Sequence, residues 1–167
     1  MMRKIFRSIL LSTFLFFNVF AVSAHAERFP DPIKYVSDGV VWGTKAFTKS
    51  KLVEKLGQPL RTTDACVVQL LKYPHLDFYE DEDNSVYIHA IRFDHATDKV
   101  IFKKFVVDQN TSELFVKKFN PELLENEDGV QEYMIRIPGT KNYDDYAYIF
   151  YFKEHKLLEF STWEQIC

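Results

Sequence analysis

The sequence predicts an α+β domain in which an antiparallel sheet carries helices on one face. Two short segments combine helical apolar spacing with clear stops. Several runs are rich in Val, Ile, Phe and Tyr, and the turns joining them are too short for parallel crossovers.

The chain opens with Arg3, Lys4 and Arg7, then the apolar run Ser8 to Val22, then Ser23-Ala24-His25-Ala26. A basic start, a short apolar run and an A-x-A ending predict a cleavable signal peptide over residues 1–26. The alternative, an uncleaved span, needs about 20 apolar residues, and Asn18 interrupts this run. The expected product is one exported domain over 27–167, periplasmic or secreted. No cysteine stands just after the apolar run, where a lipid anchor would require one.

Glu27 to Asp38 holds Pro30 and Pro32 with little periodicity and is expected to be an extended arm. Thr48 then caps a helix in which Phe47 and Leu52 stand at staple spacing and Leu52 and Leu56 share a face; Gly57 and Pro59 stop it. Strands are predicted over Cys66–Leu71, Leu76–Glu80, Val86–Phe93 and Lys99–Val107, with turns at Glu80–Ser85 and His95–Asp98. A second helix starts at Asn110 as cap, with Glu113 three residues on, places Phe115 and Phe119 on one face, and ends at Asn120-Pro121. Strands return over Glu132–Ile137, Tyr146–Phe152 and Leu157–Trp163. The helix stops lie 63 residues apart, and the strand pairs Leu76–Phe93 and Tyr148–Trp163 about 72 apart, which suggests tandem repeats over 44–107 and 108–167. The strand from Tyr146 is apolar on both sides, so it is either covered twice or presents an aromatic surface to a partner.

The run T-K-S-K-L-V-E-K-L-G-Q-P over Thr48–Pro59, followed by Tyr73-Pro74-His75-Leu76-Asp77-Phe78 and a hairpin, resembles the β-lactamase-inhibitor-protein and SmpA/OmlA group of small exported domains. The resemblance covers residues 44–93, and 110–163 as an order of elements. It implies a binding scaffold of two repeats that docks a concave sheet and projecting turns onto an enzyme. Departures are one expected disulfide where the inhibitors have one per repeat, and no lipidated cysteine.

The chain has 21 Lys and Arg against 24 Asp and Glu, and loss of residues 1–26 leaves 18 against 24, a net charge near −6. That balance favours a basic partner and disfavours nucleic acid. Cys66 and Cys167, the only cysteines, are expected to form a disulfide closing a loop of 101 residues; two separate thiols or a metal pair are the alternatives.

There is no Gly-rich phosphate loop, G-x-S-x-G elbow, H-E-x-x-H helix or C-x-x-C pair. His75, His89, His95 and His155 fall on separate elements without ligand spacing, so no metal and no cofactor is expected. The hairpin about Asp83 places Asp77 opposite His89, either an ordinary cross-strand pair or half of a small hydrolase site that lacks an assignable nucleophile. Two loops mix tyrosine with carboxylate: Tyr79, Glu80, Asp81 and Asp83, and Tyr143, Asp144, Asp145 and Tyr146. A rigid ring beside a carboxylate suits docking to lysine or arginine. The expected function is therefore an exported inhibitor or immunity protein that blocks a basic enzyme or toxin, such as a cell-wall hydrolase, with an envelope assembly or adaptor protein as the other binding-module reading.

Overall fold

The computed structural model describes residues 29–65, 67–125, 128–137 and 146–164. The expected signal peptide, Cys66, Cys167 and the loop residues Tyr143, Asp144 and Asp145 lie outside the described residues. In chain order the elements are β1 (Pro32–Ser37), β2 (Val40–Gly43), β3 (Phe47–Thr48), α1 (Lys49–Leu56), β4 (Arg61–Ala65), β5 (Val68–Lys72), β6 (Leu76–Glu80) and β7 (Ser85–Arg92). Then come β8 (Lys99–Phe102), β9 (Val106–Asp108), α2 (Glu113–Lys117), β10 (Glu122–Glu125), β11 (Gln131–Ile137), β12 (Tyr146–Lys153) and β13 (Lys156–Glu164). The molecule is rich in antiparallel sheet, and its helices are short, eight and five residues.

The long sheet runs β10-β11-β12-β13-β7-β6-β5-β4, with β3 also paired to β7; the short sheet runs β2-β1-β8-β9. Each helix is followed by a meander of four strands, β4 to β7 and β10 to β13, and the two meanders meet where β13 pairs with β7. Alternation sends Phe78, Ile91, Phe160, Phe150 and Tyr133 to one face of the long sheet, where they join Tyr35, Trp42, Val100, Phe102 and Val107 of the short sheet in one core. Leu52 of α1 and Val116 of α2 belong to the same cluster.

The expected arm is instead β1, an inner strand of the short sheet, and Phe29 ahead of it is buried against Phe102, Phe105, Phe119, Tyr148 and Phe150. Asp38-Gly39 makes the turn into β2 with both φ angles positive, 48° and 74°, as a two-residue hairpin turn of matching twist requires. The single strand expected over Lys99–Val107 is a hairpin, β8 and β9, because Lys103 to Phe105 turn the chain. The second helix is capped by Ser112, whose side chain accepts from the Phe115 amide, rather than by Asn110. Thr48 occupies the N-cap position of α1, but its side chain makes no capping hydrogen bond and its hydroxyl lies 3.0 Å from Ser50 Oγ instead; Gly57, at φ 79°, ends the helix. Asp98, fully buried, ties the two sheets' turns together by accepting from the backbone amides of Asp38 (2.9 Å) and His95 (2.7 Å).

Candidate binding face

The long sheet has a second face, turned away from the core cluster. Alternation along each strand fixes who stands on it: Leu70 of β5, Tyr79 of β6, Tyr87 and His89 of β7, Trp163 of β13, and Ile149 and Met134 of β12 and β11. Tyr79 lies opposite Leu70 on one side and Tyr87 on the other, and its ring lies against His89, with centroids 4.1 Å apart. Tyr87 is 44% exposed, whereas Ala90 and Ala147, lying low between larger neighbours, are buried.

A bulge between Asp77 and Phe78 shifts the pairing so that Asp77 faces Ala90 and His89 is left unpaired in the ladder. Asp77 therefore does not stand opposite His89, as the simple hairpin register predicts. Its buried carboxylate accepts from Arg92 Nη2 at 2.7 Å through Oδ2, and Arg92 also reaches Glu159 at 3.4 Å and the Tyr73 carbonyl at 3.1 Å. Asp77 Oδ1 and His89 Nδ1 are both buried, and neither has a hydrogen-bond partner among the described residues. Burial pushes the His89 pKa down to about 4, against the opposing pull of the Asp77 charge, so the imidazole is neutral at pH 7. Burial likewise raises the Glu159 carboxyl, helped by Asp77 and opposed by Arg92. Asp77 and His89 thus form no hydrogen-bonded pair among the described residues.

No family model matches the chain, and comparison with curated proteins and with solved structures returns no match.

The two tyrosine-and-carboxylate loops are placed unequally. Tyr79 stands on the second face, but Tyr146 packs on Tyr148, centroids 5.4 Å apart, on the core side. Glu80 is buried and receives Lys49 Nζ at 2.7 Å, so it braces α1 against β6 instead of projecting. Asp81 Oδ1 accepts from the backbone amides of Asp83 (3.0 Å) and Ser85 (2.8 Å) and so holds the turn's shape. Glu82 and Asp83 are the exposed carboxylates of that turn. Ile137 and Tyr146 flank residues 138–145, and by the β12–β13 and β13–β7 registers they lie at the same end of the sheet as the 81–84 turn.

Sequence reasoning missed Arg92, Glu159, Tyr87 and Trp163, whose shared face depends on β7 pairing with β13, a contact between distant segments. It also missed that the turns after β5 and β7 bring together His75 and His95, which it had set apart.

Proposed function

We infer that the chain is an exported protein-binding module, most specifically an inhibitor or immunity protein that docks onto a basic enzyme or toxin through the second face of its long sheet. The observation that carries this reading is the aromatic row Tyr79, Tyr87, His89 and Trp163, spread over three adjacent strands and flanked by carboxylates. Rigid rings provide buried area, and Glu82, Asp83 and the acidic residues Asp144 and Asp145 steer a cationic partner.

The reading includes a tandem duplication over 44–107 and 108–167 with the helices on one face, supported by a helix-then-meander order in each half and by Leu52 and Val116 in one core. It also includes a Cys66–Cys167 disulfide and removal of residues 1–26.

Site-specific photocrosslinking in the producing cell tests it. A photoreactive residue at Tyr87 is expected to capture a basic protein, while one at Val41, 58% exposed on the edge of the short sheet, captures none. No adduct at Tyr87, or the same adducts at both positions, sinks the reading. With the captured partner purified, charge reversal at Glu82 and Asp83 is expected to slow association by about tenfold at low salt and much less at high salt.

A further inference from the structure

At the sheet end opposite the acidic turn, the connection before β6 and the connection between β7 and β8 place two imidazoles together. His75 Nε2 and His95 Nε2 are 3.3 Å apart, and the ring centroids are 4.5 Å apart with planes at 62°. In this closed arrangement the 3.3 Å contact is a hydrogen bond, and the rings must open from 4.5 Å to about 5.2 Å between centroids to point both lone pairs at one tetrahedral ion. Two imidazole nitrogens bound to one tetrahedral ion at 2.0–2.1 Å stand about 3.3 Å apart.

The histidines are also prepared for that task. His75 Nδ1 lies 3.2 Å from Asp94 Oδ2; a carboxylate only accepts, so Nδ1 carries the proton and Nε2 is left with its lone pair. Both backbones are pinned. The His75 carbonyl accepts from the Arg92 amide at 2.9 Å, and the His95 amide donates to the buried Asp98 carboxylate at 2.7 Å. Arg92, whose backbone amide bonds the His75 carbonyl, is paired with Asp77 and Glu159.

We propose that His75 and His95 form a surface binding site for a divalent transition-metal ion of the zinc and copper class, with Asp94 orienting His75 as a positioning residue. No group of three or more His, Cys, Asp or Glu placed to hold a metal ion occurs among the described residues, so the two imidazoles would be the protein ligands and water would fill the open positions. Imidazole nitrogen selects this class over magnesium or calcium. His95 takes part by moving its ring proton to Nδ1, which frees Nε2 without net proton release. The site stands apart from the aromatic row and does not depend on the docking reading.

Titration of the untagged purified protein with Zn2+ in a calorimeter, with Mg2+ as a control, tests the assignment. One Zn2+ per chain is expected to bind in the micromolar range, while Mg2+ gives no heat at the same concentrations. His75→Ala and His95→Ala are each expected to weaken Zn2+ at least tenfold, and Asp94→Asn several-fold to tenfold. Because these side chains lie at the surface, thermal unfolding without metal is expected to be near that of the parent, which separates loss of the site from loss of the fold. Cu2+ electron paramagnetic resonance gives an independent reading, nitrogen hyperfine structure from two imidazoles in the parent and from one in either alanine variant. Zn2+ binding that survives His75→Ala and His95→Ala unchanged, or an absence of saturable binding in the parent, overturns the proposal.

Discussion

His89 shows how much a single side chain contributes when its surroundings disagree with its chemistry. Its ring is stacked on Tyr79 and its Nδ1 is buried without a partner among the described residues, so protonation must either place a charge in a poor solvent or wait for unfolding. Burial is the main cause of its depressed pKa, about 4 against an ordinary 6.5. The folded state therefore binds the proton less readily than the unfolded chain does. The stability this represents is fully present above pH 6.5 and is lost as the pH falls to about 4, on the order of 3 kcal/mol. His89→Phe keeps the ring stack and removes the titration. Denaturant unfolding at pH 7 and pH 4.5 is expected to show a smaller drop in the variant than in the parent; an equal drop excludes His89 as the source. Asp77 and His89 were visible in the sequence as neighbours, but the bulge that separates them was not, because nothing local to either residue marks an irregular ladder.

Among the elements, those with strong local signals were legible and those defined by distant pairing were not. Leu76–Glu80 and its hairpin into β7 follow from alternating β-formers around an Asp- and Asn-containing turn. The short sheet escaped because Pro32 disguised β1, although Asp38-Gly39 carries one of the strongest short-range hairpin signals. Arg61–Ala65 and Glu122–Glu125 are outer strands with few β-formers, held by their neighbours β5 and β11. The β12–β13 turn offers a test of local against tertiary preference. Glu154 and His155 both adopt positive φ, 50° and 65°, which non-glycine residues adopt reluctantly. His155 Nδ1 lies 2.9 Å from Glu113 Oε1, but the His155 side chain is 90% exposed, so that pair adds little, and Glu113 keeps Lys117 and Tyr133. Relief of backbone strain wins. Glu154→Asn combined with His155→Gly is expected to stabilise the protein by about 1 kcal/mol in thermal or urea unfolding. A net loss would show that the Glu113 contact matters more than the turn.

For the whole molecule, the arrangement that matters is two four-stranded meanders joined through β13 and β7 over a shared core. Such a sheet has outer strands at both ends, and β4, which leads directly into Cys66, is one of them. β13, which leads toward Cys167, is central. The registers place the ends of β4 and β13 at the same end of the sheet, the end that also carries the 81–84 turn. A disulfide between Cys66 and Cys167 would therefore tie an outer strand to the middle of the sheet across the first meander. Closing a loop of 101 residues restricts the unfolded chain and is worth about 4 to 5 kcal/mol in the chain-entropy account. In a domain of this length that corresponds to a fall in Tm on the order of 10 °C when the bond is reduced. The comparison to make is Cys66→Ser with Cys167→Ser against the oxidised parent, each with and without reductant. The parent is expected to fall to the level of the double variant when reductant is added, and the variant is expected to be indifferent to it. If reductant leaves the parent unchanged while both thiols titrate as free, the outer strand β4 is held by its pairing with β5 alone.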